Sequence, residues 1–172
     1  MRKVIIIGYM GSGKSTIARL LSEKMQVKAL DLDQIIENHT GVAIKNIFEA
    51  EGEIYFRKLE SKIFREIMDS DESFILSLGG GTPCYANNHE LLNAGGAVSF
   101  YLKCSIETLY QRLHLAKEGR PLIAAKDEGQ LKEFIAKSLF DRSFYYNQAS
   151  YAISADGRSA DEIVADIWER LA

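Results

Sequence analysis

Cysteine is scarce in this chain, with only Cys84 and Cys104 among 172 residues, and neither belongs to a C-x-x-C pair or sits beside a histidine cluster. Neither a disulfide framework nor a zinc site is indicated, and a reducing, cytoplasmic setting is expected. Positive charge is not in excess: the net charge of -3 offers no electrostatic footprint for nucleic acid, so no polyanion partner is expected. Long apolar runs are missing as well. Met1-Arg2-Lys3 leads into only Val4 to Ile7 before Gly8 interrupts, too short for the apolar region of a signal peptide. Nothing approaches the ~20 apolar residues that span a bilayer. Internal repeats, low-complexity tracts and Pro/Ser-rich linkers are absent too, so residues 1–172 are read as one domain, long enough to bury a core without covalent staples.

What is present alternates between two hydrophobic periods. Val4–Ile7 is a β-branched run ending in glycines, and Ile17, Leu20, Leu21 and Met25 follow at helical spacing, giving strand, loop and helix. A strand at 28–32 ending in two aspartates and helices at about 34–39 and 43–50 come next. From near Gly52, Phe56, Leu59, Ile63, Phe64 and Ile67 form one apolar stripe that stops before Asp69, the mark of a long amphipathic helix. Continuous apolar runs at 74–78 and 97–102 read as strands covered on both faces. Helical patterns at about 86–94, 105–116, 128–147 and 159–171, with a short strand at 151–154, complete the chain. Strands alternating with helices imply a three-layer α/β/α sandwich around a five-stranded parallel sheet.

Gly8-Tyr9-Met10-Gly11-Ser12-Gly13-Lys14-Ser15 satisfies G-x-x-x-x-G-K-[ST] between a strand and a helix, the context that makes it a phosphate loop. The glycines let backbone N–H groups converge on phosphate oxygens at a helix N-terminus, Lys14 adds a cation for the β- and γ-phosphates, and the Ser15 hydroxyl suits Mg²⁺. A glycine-rich turn beside an exposed lysine explains neither Lys14-Ser15 nor the flanking elements. No Asn-Lys-x-Asp marks a GTPase, and Phe74–Leu78 runs into Gly79 rather than ending on a metal-binding aspartate.

The acidic partner must come from elsewhere. Asp31 and Asp33, two apart at the end of the second strand, are expected to point to one side, one for the hydration shell of Mg²⁺ and the other for an acceptor hydroxyl. A pair of solvated loop aspartates is the plain alternative. Gly79-Gly80-Gly81 after an apolar strand signals close approach of backbone to something, or else a flexible turn. Arg57, Arg120 and Arg142 are each unremarkable singly, since an isolated arginine is usually solvated or ion-paired.

Together these residues resemble the shikimate kinase family over nearly the whole chain. The matching motifs are the phosphate loop through Thr16, Asp31-Leu32-Asp33, Phe48 to Glu53 running into Phe56-Arg57, Gly79–Gly81, Arg120-Pro121-Leu122, and Arg142 with Tyr145 and Ala149. The resemblance implies a P-loop kinase of the nucleoside monophosphate kinase-like build, an acceptor-binding region at about 33–60 and a mobile lid at about 117–127. It further implies transfer of the γ-phosphate of ATP to the 3-hydroxyl of shikimate in aromatic amino acid biosynthesis, by a monomer. Lys14, Asp33 and Arg120 would be catalytic. Gly11, Ser12, Gly13, Lys14, Ser15, Thr16, Arg112, Arg120 and Arg158 would face the nucleotide, the last within a loop at 155–159 over the adenine. Asp33, Arg57, Gly79, Gly80, Gly81 and Arg142 would hold shikimate, the two arginines clamping its carboxylate. Ser15 and, through water, Asp31 would serve Mg²⁺.

Three departures from the family pattern stand out: Asp156-Gly157-Arg158 lacks a frequent proline, Thr82-Pro83 replaces Ala-Val, and the Arg142 region lacks its proline. A gluconate kinase would share loop and lid, but Arg57, Arg142 and Asp33 favour a carboxylated polyol of the shikimate type. A nucleotide-dependent switch would leave those three residues without a purpose, and a nucleoside monophosphate kinase would need more arginines around a second phosphate.

Overall fold

The computed structural model describes residues 2–116 and 123–172. Five strands, β1 (Lys3–Ile7), β2 (Lys28–Asp31), β3 (Phe74–Ser77), β4 (Val98–Lys103) and β5 (Tyr151–Ser154), form one sheet in the order β2-β3-β1-β4-β5, with every neighbouring pair parallel. The continuous apolar strands take the middle of the sheet: Val4 to Ile7 and Phe74 to Leu76 are fully buried, while edge strands β2 and β5 stay partly exposed. β1 lies in register with both neighbours, Val4 opposite Ile75 on one side and Val98 on the other.

Helices α1 (Lys14–Met25), α2 (Leu32–Thr40), α3 (Ile44–Glu51), α4 (Glu53–Asp69), α5 (Ile106–Leu115), α6 (Glu128–Tyr146) and α7 (Ala160–Leu171) cover both faces. Their ends follow the local sequence. Asp127 with Gln130 and Ser159 with Glu162 form capping boxes at α6 and α7, and Ser105 caps α5 through the Thr108 N–H, each satisfying donors a helix start leaves unpaired. α7 buries Ile163, Val164, Ile167 and Leu171, each worth ~1.5–3 kcal/mol when fully removed from water. None of the helices among the described residues is long and apolar enough to cross a membrane.

Three expectations need adjusting. β2 ends at Asp31, and Asp33 belongs to the first turn of α2, so strand alternation does not set the direction of the two carboxylates. Asp31 ends the strand because its side chain accepts from the Gln34 N–H at 3.1 Å, which caps the helix. The helical segment foreseen at 86–94 is a 3-10 stretch, Asn88–Gly96, broken at Ala94 and Gly95, and a further 3-10 turn, Thr82–Cys84, follows the glycine triplet. On α4, Leu59 and Ile67 pack against the core but are only partly buried, while Glu60 and Ser61 are buried because their part of the helix meets a polar network with Thr82 and Asn88.

Candidate active site at the carboxyl edge of the sheet

β1, β2 and β3 all deliver their C-terminal ends to one edge, where open parallel sheets bind ligands. A cavity of about 350 Å³ lies there, lined by the phosphate loop and start of α1, by Asp31 and Asp33, and by Ser77 to Gly80. Gly13, at φ 96° and ψ 16°, caps α1 in a left-handed conformation without a side-chain cap, and the first turn carries no acidic residue. The helix start therefore keeps its N–H groups and positive end for an anion. Lys14 Nζ donates to the carbonyls of Gly8 at 2.8 Å and Tyr9 at 3.1 Å, which holds the ammonium on the loop.

The Ser15 hydroxyl donates to Asp31 Oδ2 at 3.3 Å. Among the described residues, no three His, Cys, Asp or Glu side chains cluster as a metal site. A hydroxyl and a carboxylate side by side at a phosphate cradle nevertheless fit Mg²⁺, which takes few protein ligands and completes its shell with water and phosphate oxygens. Asp33 lies in the same cavity. Its carboxyl is pushed up to about 6, first by burial and then by the negative charges of Asp31, Glu60 and Glu37, with Lys14 pulling the other way.

The glycine triplet receives three charged side chains, one per residue. A methyl group on Gly79 would stand 3.2 Å from Asp33 Oδ1, one on Gly80 would stand 3.1 Å from Arg142 Nη1, and one on Gly81 would stand 2.7 Å from Arg57 Nη2. These contacts leave no room for a Cβ without displacing the side chain. Arg57 also donates from Nη1 to Glu60 Oε1 at 2.9 Å and stacks over the Tyr85 ring at 4.0 Å. Its buried Nε makes no hydrogen bond and lies 3.7 Å from Glu53. Glu60 is 1% exposed, and its other oxygen accepts from the Thr82 hydroxyl at 2.8 Å. Asn88 Nδ2 donates to the Thr82 carbonyl at 2.9 Å, and Ser61 donates to Asn88 Oδ1 at 2.8 Å. Arg142 sits above the Tyr9 ring, 5.3 Å from its centroid, and two guanidinium groups flanking one turn form a site for a planar anion.

On the nucleotide side, Arg112 Nη1 donates to the Gly11 carbonyl at 2.9 Å. Asp156 accepts from the Ser105 N–H, a bond that holds its carboxyl below the usual range and brings the 155–159 loop to the start of α5. Arg158 is committed differently: its guanidinium pairs with Asp166 of α7 at 3.0 Å and donates to the Ser154 and Glu162 carbonyls. Arg120 and Lys117–Leu122 of the expected lid lie outside the described residues. Ile123, at the far side of that stretch, is fully buried. Glu60 and Tyr146 pack into the site although no motif singled them out, while Tyr9 stood only as a variable position of the loop motif and Thr82 only as a departure from the family pattern. For Glu60 the signal was an acidic residue one turn after Phe56 on the apolar face of α4.

The shikimate kinase family model matches residues 10–172. The chain belongs to the shikimate kinase family. A shikimate kinase of Flavobacterium johnsoniae is 58% identical over 172 residues, covering 100% of both chains, and one of Flavobacterium psychrophilum is 47% identical over 99% of each. The crystal structure of shikimate kinase from Bacteroides thetaiotaomicron superposes with a TM-score of 0.91 at 31% identity, over 99% of this chain and 98% of that one. A shikimate kinase from Acinetobacter baumannii, solved in complex with shikimate, gives a TM-score of 0.87 at 30% identity over 99% and 93% of the two chains.

Proposed function

We propose that this protein transfers the γ-phosphate of ATP to the 3-hydroxyl of shikimate, giving shikimate 3-phosphate and ADP, as a single-domain cytoplasmic monomer. The observation that carries this reading is the glycine triplet, which holds a half-buried carboxylate and two guanidinium groups against one turn beside a phosphate loop. An enzyme that only hydrolysed or sensed a nucleotide would have no use for that second, anion-binding half.

Shikimate enters with its carboxylate between Arg57 and Arg142 and a hydroxyl toward Asp33. The backbone N–H groups of 11–16 and Lys14 hold the β- and γ-phosphates. The acceptor oxygen bonds to the γ-phosphorus as the bond to the β–γ bridging oxygen breaks. The hydroxyl proton passes to Asp33, and ADP carries away the electron pair. The Ser15 hydroxyl and, through water, Asp31 would hold Mg²⁺, which would supply neutralising charge to the phosphates. Arg120, outside the described residues, is assigned to the transferring phosphoryl group on the strength of its Arg120-Pro121-Leu122 motif. Arg112 and the 155–159 loop flank the adenine, and Arg158 reaches the nucleotide only by leaving Asp166.

Purified protein with ATP and Mg²⁺ is assayed for ADP release with shikimate, gluconate, a nucleoside monophosphate or no acceptor. Shikimate-dependent release that is lost in Asp33→Asn is expected. Release with gluconate in place of shikimate would overturn the acceptor, and release without any acceptor would overturn the transferase reading.

A further inference from the structure

Tyr146 is the last residue of α6, fully buried, and one helical turn beyond Arg142. Its ring packs on Tyr101 with centroids 5.0 Å apart, a role phenylalanine fills equally well, as Phe74 and Phe100 do in the same core. The hydroxyl needs a separate reason. It donates to the Gly80 carbonyl at 2.6 Å, the short distance of a strong O–H···O bond, and accepts from Arg142 Nη1 at 3.4 Å. Burial raises the phenol's pKa well above the ordinary tyrosine range, so the hydroxyl keeps its proton and the direction of this relay, from Arg142 through Tyr146 to Gly80, is fixed.

Gly80 is where the two halves of the site meet. A methyl group there would stand 3.1 Å from Arg142 Nη1 and 3.6 Å from both the Gly8 carbonyl and the Met10 nitrogen of the phosphate loop. The Gly80 peptide is thus wedged between the loop and the guanidinium, and the Tyr146 hydroxyl grips that peptide by its carbonyl. Without the grip, Arg142 keeps its charge but has neither a hydrogen-bond acceptor on its own helix nor a fixed peptide to lie against. Linked bonds of this kind polarise one another, so the relay holds its geometry better than two separate contacts.

We propose that Tyr146 is a positioning residue for the acceptor carboxylate: its hydroxyl fixes Arg142 against the Gly80 peptide, and through Gly80 against the phosphate loop. The proposal rests on the reading of Arg142 as one arm of the carboxylate clamp. It assigns Tyr146 no contact with substrate. Its effect falls on acceptor binding, because the nucleotide phosphates are held by backbone and Lys14.

The test compares the wild type with Tyr146→Phe on shikimate and on shikimate methyl ester, which keeps the hydroxyls but lacks the anionic carboxylate. Losing a hydrogen bond to a charged group raises the KM for shikimate about 10-fold in the variant. The KM for ATP stays within about 2-fold and the methyl ester is used as well as by the wild type, because its binding does not depend on how Arg142 is aimed. An equal loss on acid and ester would make Tyr146 a general structural residue and overturn the proposal, as would a shikimate KM that does not move. The ester arm doubles as a folding control, since a poorly folded variant loses both acceptors alike. A wild type that does not distinguish acid from ester would overturn the clamp itself, an outcome visible before the variant is made. As an independent check, Tyr146→Phe in an Arg142→Ala background should add no further loss, and multiplicative effects would show that the two residues act separately.

Discussion

Arg57 lies so close to Gly81 that a methyl group on the glycine would stand 2.7 Å from Nη2 and 3.0 Å from Nη1. The Gly81 backbone, at φ -91° and ψ -13°, is one that any residue adopts. Glycine is there for the room it leaves. Gly81→Ala should therefore fold normally, displace the guanidinium and raise the KM for shikimate about 10-fold or more, with a melting temperature near that of the wild type. An unchanged KM would show that Arg57 does not bind the acceptor from this position.

Thr82 is one of the departures from the family pattern, and its hydroxyl meets the second oxygen of buried Glu60 at 2.8 Å. Thr82→Val keeps the shape and strands that oxygen, a loss of about 1–3 kcal/mol, while Thr82→Ser retains the bond. Thermal unfolding should place the valine variant several degrees below the serine variant, and equal melting temperatures would contradict the contact.

Asp33, pushed up to about 6 by burial and its acidic neighbours, binds a proton in the fold over a range where the unfolded chain has already lost it. Stability therefore falls as pH rises from about 4 to about 6, and the cost is complete above that window. Asp33→Asn removes the cost and should stabilise the ligand-free protein by about 3 kcal/mol at pH 8 and hardly at all at pH 4, as read by urea titration at both values. A benefit of equal size at both would refute the perturbed carboxyl. On the proposed mechanism the rate with shikimate should fall on the acid side as Asp33 takes up a proton, and the asparagine variant should lose about 10²–10⁴ in rate, both read from kcat/KM against pH.

Asp31 has two jobs on two oxygens: Oδ1 caps α2 through the Gln34 N–H and Oδ2 accepts from Ser15. Asp31→Asn keeps a capping oxygen and loses the charge. It should fold like the wild type yet need about 10-fold more Mg²⁺ for half-maximal rate, a shift of the size of one lost charge-assisted contact. An unchanged Mg²⁺ requirement would remove Asp31 from the ion's surroundings.

The sheet was legible because its three central strands are short continuous apolar runs and the connecting segments keep a helical period. β5 at Tyr151–Ser154 coincides with its sequence-based span, and α6 and α7 begin where Asp127 and Ser159 supply caps. The break at Asp31 was less visible: Leu32 is apolar and fully buried, so it prolongs the strand pattern although the capping bond to Gln34 has already begun a helix. The 3-10 stretch after Asn88 was read as a regular helix because Leu91 and Leu92 give it apolar positions, while the glycines at 95 and 96 take positive φ and break it.

Within the site, the phosphate loop was readable because its chemistry is carried by adjacent residues. The acceptor side was readable only as a set of motifs. Which glycine of the triplet faces Asp33, which Arg142 and which Arg57 depends on how β3 sits between β1 and β2, and spacing along the chain does not contain that. Tyr145 rather than Tyr146 drew notice beside Arg142, yet it is Tyr146, one full turn on, whose hydroxyl reaches Gly80. Arg158 was placed with the nucleotide by its loop, whereas the nearby Asp166 on α7 draws its guanidinium aside.

β1 pairs with β3 and β4 and never with β2, the strand that follows it in the chain. The first 33 residues therefore hold the whole phosphate loop and both aspartates, yet no strand beside which β1 can settle. On a ribosome, where the amino end emerges first, the earliest possible neighbour is Phe74–Ser77 and the second is Val98–Lys103. Parallel pairing across such separations is slow to close. The phosphate loop is thus complete as sequence well before either of the strands that hold β1 in place has been made.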